Sequence, residues 1–304
     1  MSLAALGRRP ELTVFVGALA LAFSGILFRL SHTSPETGAF FRCLFALPPL
    51  YLLMRWEERR WGKRTWRERG YAWVAGVFFA ADLLFWHHGI EFVGAGLATV
   101  LSNTQVVLIG VFSWLFAAER PHRWVLASIP VVSVGVVLVS GLLEKGAYGA
   151  NPARGTVYGL LTGISYAAFL LVLRRGQRGV VGPGGPLFDS TLSCAVVCLV
   201  TGVVVGDLDL APSAAALGWL ILLALLTQFL AWILVAISLP RLPAVVTSVS
   251  LTFQPVCTVL LAALILGEAP SWLQLLGAAT IVAGLVLSSL SRRGEPVAEP
   301  EIAG

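Results

Sequence analysis

Asp82 interrupts an otherwise uncharged run, 70–90, and Trp86 follows one helical turn later on the same face. If that run crosses a bilayer, an aspartate in it costs about 2.5–3.5 kcal/mol on insertion scales and is kept away from lipid. Two uses fit: a carboxylate lining a cavity, where it contacts an amine-bearing substrate or cycles a proton, or a hydrogen-bonded Asp tying its helix to a neighbour. His87, His88 and Glu91 continue the same helix. His87 and Glu91 share a face, but zinc usually wants three or four ligands, so no metal site is expected. One histidine meets the outer water and the other hydrogen-bonds a neighbouring helix.

A second set of polar side chains lies at comparable depth further along. Thr99, Ser102 and Asn103 share a face by their i, i+3, i+4 spacing, while Gln105 points elsewhere. Ser248, Thr252 and Gln254 answer them in the second half, with Pro255 freeing the carbonyl of Leu251 and permitting a kink. Tyr158, Thr162, Ser165 and Phe169 follow at helical spacing with Tyr166 beside them, and Gln228 and Trp232 form a last pair. The candidate substrate-binding residues are Asp82, Trp86, Asn103, Gln105, Tyr166, Gln228, Trp232, Thr252 and Gln254. The competing account is interhelical packing, where such hydrogen bonds average about 0.6 kcal/mol. Arg42, about seven residues inside its run, is expected to snorkel outward or pair with Glu36. Glu119 and Glu268 sit beside prolines at helix ends, where a carboxylate can cap the N–H groups of the following helix.

The elements that must position these residues follow from charge poverty. The 304 residues carry 21 Lys+Arg and 16 Asp+Glu, only 12% charged, with 57% hydrophobic residues and a mean hydropathy of +0.85. Soluble domains average about 25% charged, so neither a soluble globule nor a disordered chain fits. Ten apolar segments of bridging length emerge, two of them only if Arg42 and Asp82 are tolerated. Apolar/polar alternation is missing, which excludes a strand barrel. The reading is an all-α integral membrane protein with ten transmembrane helices. The first run resembles a signal peptide in having Arg8 and Arg9 ahead of it, but it continues to Leu30 without a polar cleavage zone and is kept as a helix.

With the N-terminus inside, 17 basic residues fall on cytoplasmic segments and four (Arg29, Arg42, Lys145 and Arg154) on or near the outer ends. The positive-inside rule then places both termini in the cytoplasm of a multi-pass protein of the plasma (inner) membrane. The pI of about 9.3 is an orientation signal rather than a nucleic-acid surface. Segment 55–69 spaces Trp56, Trp61 and Trp66 among seven basic residues, the pattern of an interfacial anchor on anionic lipid. Cys43, Cys194, Cys198 and Cys257 all lie in apolar runs and read as small buried hydrophobes, with no disulfide expected.

The chain repeats itself. Shifted by 149 positions, residues 95–140 meet 244–289 with 12 identities in 46 pairs, among them Gln105/Gln254, Glu119/Glu268 and Pro121/Pro270. A shift of 146 matches Trp73/Trp219 and Trp86/Trp232 and sets Asp82 opposite Gln228. Apolar bias does not account for a repeated Glu-x-Pro. The organisation is a cytoplasmic start (1–11), a five-helix repeat (12–141), an outer connection (142–154), a second repeat (155–291) and a disordered cytoplasmic tail (292–304). Five is odd, so the second repeat enters from the opposite side: two inverted five-helix repeats, an architecture of secondary transporters.

These residues carry a family resemblance. A 5+5 chain whose fourth and ninth helices end in Glu-x-Pro, with DLLFWHHGIEFVGAGLATVLSNTQVVLIGVFSWLFAAERP at 82–121 and Arg42 early in the second helix, resembles the EamA-like branch of the drug/metabolite transporter superfamily. It departs in having Val106 where a proline is usual and Ala118 where a glycine is usual, while Pro255 and Gly267 keep the pattern in the second half. The resemblance implies a secondary transporter, here an exporter of a small organic metabolite or amino-acid-like compound, with a proton as candidate coupling ion. No GxxxxGK[ST], HExxH, GxSxG or paired membrane aspartates occur, so neither an ATPase nor an intramembrane enzyme is expected, and no cofactor. A non-transporting scaffold does not account for polar residues at matched depth in both halves.

Overall fold

The computed structural model describes residues 10–117, 122–177, 181–238, 242 and 244–289, with side chains at 113, 116, 117 and 244–250 left aside. Every regular element among them is helical. In chain order these are α1 (Pro10–Ala22), α2 (Ser24–Ser31), α3 (Pro35–Trp61), α4 (Trp66–Val93), α5 (Ala95–Ser102), α6 (Gln105–Ala117) and α7 (Arg123–Val139). The second half holds α8 (Pro152–Gly176), α9 (Gly184–Val205), α10 (Ala214–Leu223), a π-helical turn (Ala224–Ala231), α11 (Trp232–Ser238), α12 (Ala244–Leu266) and α13 (Trp272–Ser289). Among the described residues, eight helical stretches are long and apolar enough to cross a bilayer, α1 and α2 counting as one, and α7 and residues 251–266 of α12 are shorter apolar helices. The chain is a multi-pass membrane protein.

Local chemistry sets the ends. Ser34 caps α3 by accepting from Thr37 N–H at 3.3 Å, with Pro35 at the first helical position, where its missing N–H costs nothing. Thr65 and Glu68 form a reciprocal capping box at the start of α4. Gly94, at φ 84°, both ends α4 and turns the chain into α5. Polarity is reversed relative to a water-soluble fold: Leu264 and Val204 are about four-fifths exposed, while Asp189, His87 and Thr227 are fully buried. That is the distribution lipid demands, because apolar side chains gain nothing by leaving it and polar ones must find partners inside.

The packing comes in matched pairs. α4 lies on α8 and, half a chain later, α10 lies on α2; α12 packs on α1, as α5 does on α8. α3 with α9 and α7 with α13 pair directly across the halves. Gly135 and Gly277 let α7 and α13 meet backbone to backbone: a Cβ on either would come within 2.7 Å of the other's carbonyl oxygen.

Corresponding helices are not identical in detail. The one with the proline, α12, runs unbroken through Pro255. Its partner has no proline, yet it breaks into α5 and α6 at Asn103–Thr104. The side chains explain this. Ser102 Oγ and Asn103 Nδ2 both donate to the Thr99 carbonyl, and Thr104 Oγ1 donates to that of Leu101, offering the backbone acceptors an alternative to the helical ladder.

The Glu-x-Pro carboxylate also does something other than expected. Glu268 does not cap the helix that follows it. It reaches across to the other half, where Oε1 accepts from Ala95 N–H at 2.6 Å and Oε2 from Gly96 N–H at 3.1 Å, capping α5. Gly94 and Gly96 leave room for it, since a Cβ on Gly94 would lie 2.7 Å from the carboxylate. Burial pushes the Glu268 carboxyl above its ordinary range, and the two N–H groups and Arg29 pull it back. Glu119 lies outside the described residues.

Candidate functional site

Seven helical segments converge on one small cavity of about 60 Å³. α4 contributes Phe79, Asp82, Leu83 and Trp86, all from one stripe of the helix. α3 brings Arg42, α5 brings Thr99 and Ser102, α8 brings Tyr166, α11 brings Trp232 and α12 brings Gln254. Leu21 and Ser24, flanking the α1–α2 break at Phe23, complete the wall. The carbonyl of Ala22 at that break accepts from Thr258 Oγ1 at 3.1 Å, so its backbone is satisfied by the opposite half.

Arg42 requires a correction. It neither snorkels nor pairs with Glu36, whose partner is His88. It is 4% exposed, with Nε donating to Gln228 Oε1 at 3.1 Å and Nη1 donating to Ser24 Oγ at 3.0 Å. Gln228 is held in turn by donating from Nε2 to Thr191 Oγ1 at 3.3 Å. The guanidinium lies 5.7 Å from the centroid of the Trp86 ring, within cation–π range. The π-helical turn at 224–231 gives this arrangement its register, since Gln228 sits at its centre. Two clues in the sequence point to Arg42: its charge falls inside an apolar run, and it is opposite in sign to the one other such charge, Asp82.

Asp82 faces the same cavity. Among the described residues its carboxylate has no hydrogen bond and no ion pair, Arg42 included. Around the two charges the wall is aromatic: Phe79 stacks on Phe169 at 4.7 Å, and Trp232 meets Tyr166 and Phe169 edge-on at 6.4 and 6.2 Å. An acceptor and a cation set apart in a low-dielectric aromatic box can bind a molecule bearing both an ammonium and a carboxylate. At about 60 Å³ the space is far below the 300–1,000 Å³ of ligand pockets.

Of the nine sequence candidates, Asp82, Trp86, Tyr166, Trp232 and Gln254 line this cavity, and Gln228 holds Arg42 beside it. Asn103, Gln105 and Thr252 are buried outside its lining; among the described residues the Gln105 Oε1 has no partner. The tertiary structure also gathers thiols that the sequence keeps apart, with Cys43 Sγ 3.4 Å from Cys194 and Cys198 3.9 Å from Cys194.

Near the segment 55–69, Arg64 Nη2 and Arg69 Nε bind the buried Asp189 at 2.8 and 3.3 Å, and Arg55 pairs with Glu58. Arg59, Arg60 and Lys63 stay exposed beside Trp56, Trp61 and Trp66.

The sequence model of the EamA-like transporter family matches the chain twice, over residues 8–141 and 153–290. The crystal structure of another protein shares this fold at 16% identity, with a TM-score of 0.64 over 92% of this chain and 98% of the other. No curated protein matches the sequence.

Proposed function

The chain belongs to the EamA-like transporter family, and from that premise we propose that it exports a small amino-acid-like metabolite across the plasma membrane by alternating access. The observation that carries the substrate reading is the cavity shared by Arg42 and Asp82, two residues of opposite sign that line it without forming a salt bridge. The substrate ammonium meets Asp82, its carboxylate meets Arg42, and its apolar part packs on Trp86, Tyr166 and Trp232. Gln254 supplies a further polar contact, and Gln228 orients Arg42. Asn103, Gln105 and Thr252 sit by the broken fourth helix and its counterpart, and they reach the substrate when the cavity opens.

In this reading the eight long apolar stretches, together with α7 and α12, make ten crossings. The halves are inverted repeats, a relation supported by packing that recurs when each helix is exchanged for the one five later. The 17:4 distribution of basic residues sets both termini in the cytoplasm. Arg59, Arg60 and Lys63 rest on anionic lipid headgroups. A proton is the coupling ion, carried on Asp82.

The test is a metabolite efflux screen on overexpressing cells, followed by flux measurements in proteoliposomes. Arg42→Gln and Asp82→Asn should each cut flux of the identified zwitterion by at least about 100-fold, the scale of losing a buried charge-assisted contact. Wild-type flux in Asp82→Asn would sink the assignment.

A further inference from the structure

A second titratable cluster lies on α4 beyond the cavity. His88 places Nε2 3.1 Å from Glu36 Oε1 on α3 and Nδ1 3.5 Å from Glu91 Oε2 on its own helix. Both contacts are hydrogen bonds only if both ring nitrogens carry hydrogens, so the geometry is that of an imidazolium between two carboxylates. Exposure falls steadily inward: Glu91 is 42% exposed, His88 28% and Glu36 4%. His87 is fully buried. Its Nδ1 donates to the Pro35 carbonyl at 3.1 Å, which leaves Nε2 as the acceptor, and its ring is clamped on Phe28 with centroids 3.9 Å apart.

Among the described residues, two buried atoms here have no partner, Glu36 Oε2 and His87 Nε2. Both are acceptors, on residues joined through the Pro35–Glu36 backbone, and buried acceptors without a donor are costly. A proton delivered to Glu36 satisfies the first. The other groups around His88 neither quench nor replace that charge. Tyr158 of α8 stacks on it at 5.3 Å, and Arg154 is turned over Phe92 at 4.6 Å. Asp207 and Asp209 meet Thr37, next to Glu36, through a backbone carbonyl and a backbone N–H, the Asp209 carboxylate accepts from Ala211 N–H, and Arg42 is the cation whose charge reaches His87 from α3.

We propose that Glu91, His88 and Glu36 form the outer proton port of this protein, taking a proton from the outer water and holding it at the outer end of α4, beside the neutral His87. The proposal rests on the transport reading above, which supplies both the outer side and a use for the proton. Transfer runs from His88 Nε2–H to the Glu36 carboxylate, leaving a neutral His88 ring that takes its next proton from the outer water. No covalent bond other than those to the moving proton changes. His87 lies five residues from Asp82, about 7.5 Å along the helix axis, with Trp86 between them at 5.2 Å from the His87 ring.

The chain has four histidines, His32, His87, His88 and His122, so nitrogen-15 histidine labelling resolves each ring. The full chain in phosphatidylethanolamine/phosphatidylglycerol nanodiscs should show His88 with both nitrogens protonated at neutral pH and His87 as the Nδ1–H tautomer. Glu36→Gln should convert His88 to a neutral ring. Glu91→Gln, at a more exposed position, gives the same readout at the Nδ1 signal should the first variant not fold. A neutral His88 in the wild type, or one indifferent to both substitutions, overturns the port.

In proteoliposomes of the same lipids, flux of a carbon-14 amino-acid mixture should change several-fold between outer pH of about 6 and 8, and His88→Asn should lose that dependence. Dependence absent from the wild type, or retained by His88→Asn, overturns the port while transport stands. No protein-dependent flux at all would remove the transport reading and the port with it. The spectra distinguish that case, because the imidazolium would still be present.

Discussion

The loop after α3 and the loop after α9 occupy corresponding places in the two halves, and each is fastened to the start of the other half's counterpart helix by different chemistry. At the first, Glu57 accepts from Gly184 and Gly185 N–H at 2.9 and 3.0 Å, and Arg64 and Arg69 grip Asp189 on α9. At the second, Ser34 Oγ donates to the Asp207 carbonyl at 2.6 Å and Thr37 Oγ1 accepts from Asp209 N–H at 2.9 Å. One end is closed by buried charge, the other by neutral hydroxyls and backbone. A buried ion pair is no guarantee of extra stability, because desolvation offsets most of the attraction, but losing one partner strands the other. The lesson is about tolerance: the charged end is brittle and the neutral end degrades gradually.

The comparison can be broken by single substitutions. Asp189→Ala strands Arg64, whose Nη1 already lacks a partner, and should cost about 3–5 kcal/mol. Thermal unfolding in detergent would show it as the largest loss in the set. Glu57→Ala leaves two backbone N–H groups at the start of α9 without an acceptor, for about 2 kcal/mol in the same assay. Thr37→Val, at the neutral end, should cost about 1 kcal/mol despite complete burial. Equal losses for Asp189→Ala and Thr37→Val would erase the distinction between the ends. Ser34→Ala is expected to be the mildest at about 0.5–1 kcal/mol, because only a cap and a surface contact are lost. Raising salt to about 1 M should leave this order unchanged, since buried pairs are screened far less than exposed ones. A reordering would mean that Asp189 is wetter than its full burial indicates.

Much of the site was legible in particular residues. Asp82 and Trp86 share a helical stripe, so one cavity-facing residue predicts the other, and both line the cavity. One histidine was expected to meet water and the other to bond a neighbouring helix; His87 bonds the Pro35 carbonyl, and the partly exposed His88 also reaches that helix, through Glu36. Arg42 was misread because an arginine near a helix end ordinarily snorkels, and nothing local announces that Gln228, 186 residues away, will hold it inside. The break at Asn103–Thr104 was missed because proline is the louder signal, whereas three short polar side chains competing for backbone acceptors suffice.

The sequence by itself determined that the chain is helical, that it lies in a membrane and that it contains two related halves. Those properties depend on hydropathy, on charge bias and on internal identity, which are read along one strand. The tertiary structure alone decided that Glu268 caps α5, that Cys43 joins Cys194, that Asp189 anchors two arginines and that Arg42 shares a cavity with Asp82. The first three are contacts across more than a hundred residues, and the cavity of the fourth is walled by helices from both halves of the chain. Helix periodicity fixes which face a residue occupies but not which helix that face will meet. In lipid that choice falls to small-residue packing and to the pairing of buried polar groups, and both exist only once the helices have assembled.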